Sequence, residues 1–250
     1  MTSVSVAIVI FFCLFVGALL GMRLRTVIPQ HQLDVETKDL IKLGVGLIGT
    51  MSALVLGLLV ASTKGAYDTE KSELAQLAGN VILLDRVLAH YGAETAETRA
   101  ALRSTVAGMM GVNGSRNRLE QLGHAASVRG EVMFDKLEDL VPHTDGQREL
   151  LAQAKSLAIG LGQTRWLLFA QSGTSISTPF LVIVVFWLTV LYVSFGLFAP
   201  RNATALVTLL ISAASVAGAM FLILDLDHPF TGFMQIADTP LRNALAVLGT

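Results

Sequence analysis

The residues best suited to bind an ion lie together near the C-terminal end of the chain. Asp225, Asp227 and His228 precede Pro229. Carboxylate oxygens are ligands for hard cations such as Ca²⁺, so Asp225 and Asp227 are weak candidates for a metal site. The more ordinary interpretation is a pair of solvated charges at the end of a helix, which Pro229 prevents from continuing. We therefore predict no bound metal and no other cofactor.

A glycine motif in the first quarter of the chain matches the dinucleotide-binding pattern G-x-G-x-x-G. Gly44, Gly46 and Gly49 have the required spacing, and Asp68 follows. That motif functions between a strand and a helix N-terminus, where backbone N–H groups face a pyrophosphate. Here a charged segment precedes the glycines and a long apolar stretch follows them. The pattern therefore favours a membrane helix over a nucleotide site.

Other chemical motifs are missing from the sequence. The five histidines are widely separated, and Cys13 is the one cysteine, so an internal disulfide is excluded. No H-E-x-x-H, Walker A or G-x-S-x-G element is present. The net charge of −1 provides no field that would attract nucleic acid. We expect neither an enzyme nor a nucleic-acid-binding protein.

Four long uncharged apolar stretches must position any functional site. They are residues 1–22, the stretch between Lys42 and Lys64, part of 166–200, and the stretch between Arg201 and Asp225. Each is long enough to cross a bilayer core of about 30 Å as a helix. The first lacks a basic start and exceeds the core of a signal peptide, so we expect it to be retained. The chain should span the membrane four times.

The polar middle of the chain is predicted to be a helical bundle. Its first helix carries an apolar stripe at helical spacing, formed by Leu74, Leu77, Val81, Leu84, Leu88 and Tyr91. Gly92 is a natural helix end. Further helices are expected over 94–110, 116–140 and 147–170, with a turn at 111–115 and a break at 142–146. A short amphipathic helix should run from Thr239 to Leu248.

The predicted fold is therefore all-α, with two transmembrane hairpins and a helical-bundle insert between spans two and three. The expected domains are 1–63, 64–178, 179–225 and 226–250, which are the first hairpin, the insert, the second hairpin and a short C-terminal tail. Asp85 and Arg86, within the insert stripe, are expected to have a structural role.

Small residues recur on one face of the second span. Gly49, Ala53, Gly57 and Ala61 are spaced four apart, and Thr50 lies beside them. In lipid, such faces let helix backbones approach closely. The face therefore serves either packing within the four-helix unit or a subunit contact or pore wall. No ionisable residue lies in the middle of a span, which argues against a proton-coupled transporter but permits a passive channel.

Four segments resemble a bacterial family of bestrophin-like membrane proteins. They are 61–68 (ASTKGAYD), 80–92 (NVILLDRVLAHYG), 195–202 (FGLFAPRN) and 224–230 (LDLDHPF). The more distant bestrophins are pentameric anion channels with a pore lined by the second span, and Asp227–Gly232 is similar to their acidic-Pro-Phe-Gly element. This chain departs from them because residues 43–63 contain no aromatic side chain and no acidic run follows Gly232.

The resemblance implies a multi-pass inner-membrane protein with a cytoplasmic insert, whereas Arg23 and Arg25 after the first span favour an N-terminus on the outside. Our leading hypothesis is a homo-oligomer in the lipid bilayer that passes small anions along the second span. The alternative is a membrane sensor or scaffold whose insert binds a ligand or a partner protein.

Overall fold

The computed structural model describes residues 2–29, 34–110, 130–171, 176–229 and 232–248, and every structural statement below concerns these residues. They form eight α-helices and no strand. In chain order these are α1 (Ser3–Val27), α2 (Val35–Tyr91), α3 (Ala96–Met110), α4 (130–138), α5 (Asp145–Gln171), α6 (Thr178–Phe198), α7 (Ala203–Leu226) and α8 (Thr239–Val247). A 3₁₀ turn, Ala93–Thr95, precedes α3. The all-α prediction is confirmed.

Four of these helices, α1, α2, α6 and α7, are long and apolar enough to cross a membrane. They coincide with the four predicted stretches. Helix α2 extends beyond its apolar stretch at both ends and continues without a break through the insert stripe to Tyr91, as the lack of a proline between span and stripe predicts. The arrangement as two hairpins stays a prediction.

The chain divides into two compact units. The first contains Met1–Ala66 and Thr174–Asp227, and the second contains Tyr67–Gly173 and His228–Thr250. The division falls inside α2, so this helix contributes to both cores. The C-terminal segment groups with the insert. The four domain boundaries expected from the sequence stay a prediction.

The directions of three helices in the first unit follow from polar contacts at their ends. Arg25 Nη1 donates to the carbonyl of Ala199, and Arg201 Nη2 donates to the carbonyl of Met22 at 3.0 Å. The first bond satisfies a carbonyl that the end of α6 leaves without an intrahelical partner. Ser3 Oγ, at the opposite end of α1, donates to the Leu224 carbonyl at 3.3 Å. Helix α1 therefore runs parallel to α6 and antiparallel to α7.

The second unit is built on the predicted stripe of α2, whose six residues are all 7% exposed or less. The helix ends where predicted, because Gly92 has φ 142°, a conformation that disfavours a side chain. The helices predicted at 94–110 and 147–170 correspond to α3 and α5. Leu241 and Ala244 of α8, and Leu248 directly after it, are buried in the same core.

Part of the predicted third insert helix can be compared with the structure. Residues 130–138 are helical, and Met133 and Leu137 are buried. The predicted turn at 111–115 and the first part of the 116–140 helix lie outside the described residues.

Candidate functional site on the second membrane helix

The membrane part of α2 is the least covered of the four candidate spans. Only 6% of its most apolar window is buried within the chain, against 33%, 33% and 28% for α1, α6 and α7. Exposed leucines surround it, including Leu47, Leu54 and Leu58. Most of this surface must therefore meet lipid, another chain or a pore.

The predicted small-residue face lies mostly on this uncovered surface. Thr50, Ala53, Gly57 and Ala61 are exposed, and Gly49 is half-buried. A Cβ added to Gly49 would lie 3.7 Å from Leu191 Cδ2, whereas one added to Gly57 would have no neighbour within 4 Å among the described residues. Packing within the chain thus uses one end of the face and leaves the rest open. The role of these residues as a pore wall stays a prediction.

The glycines of α1 and α6 show what a closed small-residue contact looks like. A Cβ added to Gly21 would lie 2.0 Å from the Val193 carbonyl oxygen, and one added to Gly196 would lie 2.0 Å from that of Ala18. Any side chain there would force the two backbones apart. The small pair Ala214 and Gly218 on α7 is exposed, like the face on α2.

Hydroxyl groups on the membrane part of α2 mostly bond to its own backbone. Thr50 Oγ1 donates to the Leu47 carbonyl, and Thr63 Oγ1 to the Leu59 carbonyl, both at 2.8 Å. Ser52 is 2% exposed, and its Oγ has no hydrogen-bond partner among the described residues. Bonds of this local kind are common in helices. These hydroxyls do not converge on a common point that would indicate a fixed ion site.

The glycine motif of residues 44–49 lies inside α2. Backbone N–H groups in a helix interior bond to carbonyls one turn earlier and do not face a phosphate. The interpretation of this motif as part of a membrane helix is therefore confirmed.

The interpretation of Asp225 and Asp227 as solvated charges is wrong. They are 2% and 8% exposed at the end of α7, and both engage in polar interactions within the structure. Burial of a carboxylate requires such compensation. Among the residues the structure describes, no group of three or more His, Cys, Asp or Glu side chains could hold a metal ion. Phe230 and Thr231 of the acidic-Pro-Phe-Gly element lie outside the described residues.

Asp85 forms the clearest buried ion pair, in the second unit. Arg99 Nε and Nη2 donate to its two carboxylate oxygens at 2.7 and 2.9 Å, joining α2 to α3. This hydrogen bond raises the pKa of Arg99. Asp85 is 2% exposed, whereas Arg86 is exposed. The pair ties two bundle helices together, in line with the structural role expected for Asp85.

A cavity of about 310 Å³ lies inside the second unit, and no motif in the sequence indicates it. Arg165 lines it and is half-buried. The neighbouring Trp166 is the one signal in the sequence for a partly buried Arg165, because an aromatic side chain next to an arginine permits a cation–π contact.

A family model described as Bestrophin-like domain matches residues 10–241 of the chain. No curated protein matches the chain, and no solved structure matches it.

Proposed function

The chain belongs to the bestrophin-like family, and from this premise we propose that it forms a homo-oligomeric channel in the lipid bilayer that passes small anions along α2. The observation that carries the proposal is the 6% burial of the membrane part of α2 within its own chain. A helix that its own chain covers so little is available to line a conduit between copies.

The chemistry of the exposed face is suited to a narrow, unreactive conduit. Residues 43–63 contain no charged side chain and no aromatic side chain. The small residues of the face would leave the helix backbone close to a passing ion. Selectivity would then depend on hydroxyl groups, helix dipoles and constriction by small side chains, as channels without charged rings require.

The cellular setting is part of the same proposal. The protein would cross the bacterial inner membrane several times, with the insert in the cytoplasm, and would move ions without catalysing a reaction. About 33 Å separate Lys42 from Lys64 along a helix with 1.5 Å rise per residue. The uncharged part of α2 between them therefore matches the hydrocarbon thickness of about 30 Å.

Chloride release from proteoliposomes tests the proposal. Two glycines provide a matched pair, because Gly57 on α2 and Gly218 on α7 both face open space. Gly57→Leu should reduce the chloride flux about tenfold or more by narrowing the conduit, and Gly218→Leu should leave it unchanged. A flux no greater than that of empty vesicles, together with a monomeric mass in detergent, would overturn the proposal.

A second function is favoured by the cavity in the second unit. The chain would then act as a membrane sensor or scaffold, and the insert would bind a ligand or a partner protein. Co-purification of a stoichiometric partner protein would support this alternative. Homo-oligomers without a partner that still conduct chloride would exclude it as the primary role.

A further inference from the structure

The cavity of the second unit lies between four helices of the bundle. Its volume of about 310 Å³ falls at the lower end of the range of ligand pockets, about 300–1,000 Å³. It could hold the volume of about ten water molecules at ~30 Å³ each. Most of the wall is apolar, formed by Leu77, Val81, Leu102, Val106, Met133 and Leu161. A wall of this kind favours an apolar occupant over water.

The polar side of the cavity is built around one guanidinium. Arg165 is half-buried, and this burial lowers its pKa, while the nearby Glu131 carboxylate acts in the opposite direction. A Cβ added to Gly130 would lie 3.2 Å from Arg165 Nη1, so the glycine leaves the space that the guanidinium occupies. The Arg165 guanidinium carbon also lies 5.9 Å from the centre of the Trp166 ring.

The charged side chains at the polar end of the cavity differ in their exposure to water. Glu131 and Asp135 line the cavity but are exposed, so water and salt screen their charges. The positive charge of Arg165, in contrast, is partly removed from water. A guanidinium has five donors and can therefore serve a ligand in addition to a neighbouring carboxylate. Ile159 and Trp166, 50% and 60% exposed, mark where the cavity reaches the surface.

We propose that this cavity binds a single-chain amphiphile with an anionic head, of the size of a fatty acid with about ten to twelve carbons. The head group contacts Arg165 at the polar end, and the chain lies against the leucine and valine wall. Binding at this site is independent of ion conduction. The proposal gives the insert a ligand class, anionic amphiphiles, that the channel function does not require.

The two tryptophans of the chain allow a direct test, because Trp166 lines the cavity and Trp187 lies in α6. Full-length Trp187→Phe in lipid nanodiscs should show saturable quenching of Trp166 by 2-bromododecanoate, whose bromine lies beside the head group and therefore near Trp166. Full-length Trp166→Phe reports partition into the bilayer through Trp187, and its quenching should rise without saturation. Equal, unsaturable quenching in both variants would overturn the proposal.

Charge variants in the Trp187→Phe background separate the head-group chemistry from simple burial. Arg165→Gln should weaken the apparent affinity about tenfold or more, and Glu131→Gln should strengthen it by removing a competing carboxylate. The cationic probe dodecyltrimethylammonium should not compete. Tighter binding by Arg165→Gln than by Glu131→Gln, or competition by the cationic probe, would contradict the assignment of an anionic head group.

Ala158→Met fills the cavity and should abolish saturable quenching. Retained circular dichroism would show that the variant is folded.

Discussion

The two parts of α2 have opposite relations to the rest of the chain. From Leu74 to Tyr91 the apolar stripe is buried, with Leu84 0% exposed, whereas Leu54 and Leu58 in the membrane part are 74% and 66% exposed. One uninterrupted helix thus supports a closed core at one end and an uncovered apolar surface at the other. The comparison teaches that apolar character alone does not identify the contacts of a helix. Lipid satisfies an apolar side chain as well as protein does.

The strongest test of this difference exchanges leucine for alanine on both parts of α2. Leu84→Ala should lower the free energy of unfolding by about 2–5 kcal/mol, because it leaves a cavity in a packed core. Leu58→Ala is the matched control and should leave the thermal unfolding midpoint nearly unchanged. The measurement is circular dichroism of the full chain in one detergent. Equal losses in the two variants would show that the membrane part is also packed.

The buried ion pair sharpens the same comparison. Arg99→Ala leaves the Asp85 carboxylate buried without its partner and should cost about 3 kcal/mol of stability. Lys136→Ala removes a pair with Glu97, whose side chain is 83% exposed. That variant should have no measurable effect, since exposed pairs contribute little. Unfolding midpoints that fall equally in both variants would contradict the assignment of Asp85–Arg99 as a structural contact.

Two glycines compare a closed face with an open one inside the first unit. Gly21→Ala should destabilise the protein by about 1–3 kcal/mol, since its Cβ would collide with the backbone of α6. Gly57→Ala places its Cβ near no atom of the residues that the structure describes, and it should be neutral or stabilising, because alanine is the better helix former by ~1 kcal/mol. Resistance to thermal aggregation in detergent measures the stability of both variants. A Gly57→Ala variant that unfolds as readily as Gly21→Ala would show that the α2 face is already covered.

The smallest expected effect concerns the pH dependence of the bundle core. Burial raises the pKa of Tyr91, and the Glu94 carboxylate adds to this effect. The folded state therefore holds the phenol proton more tightly than the unfolded state, whose pKa is about 10. This contribution to stability is complete below pH ~10 and is lost as the pH rises through the folded pKa.

Tyr91→Phe should reduce that alkaline loss. At neutral pH it should be neutral or stabilising by about 1 kcal/mol, because the buried hydroxyl has no hydrogen-bond partner among the described residues. Thermal unfolding between pH 7 and 11, with Tyr67→Phe as the control, measures the difference. If the unfolding midpoint of Tyr91→Phe falls with rising pH as steeply as that of the unmodified protein, another group controls the alkaline loss of stability.

Much of the fold was predictable because its determinants are local. Four uncharged stretches of membrane-spanning length predicted α1, α2, α6 and α7, and the alternating three-and-four spacing from Leu74 to Tyr91 predicted which residues would be buried. Gly92 predicted the end of α2 from its conformational freedom alone. Asp225 and Asp227 were misjudged, because the sequence does not reveal which groups surround the end of a helix.

By itself, the sequence determined the helical periods, the four helices long and apolar enough to cross a membrane, and the family, since these depend on composition and on residue order along the chain. The tertiary structure decided which of the similar small-residue faces is closed. A side chain at Gly21 or Gly196 would meet a neighbouring backbone, whereas one at Gly57 would meet no atom of the described part of the chain. It also placed Arg165 at a cavity and Asp85 opposite Arg99. Burial is a property of the helices that approach a face, and their approach depends on contacts between residues far apart in the chain.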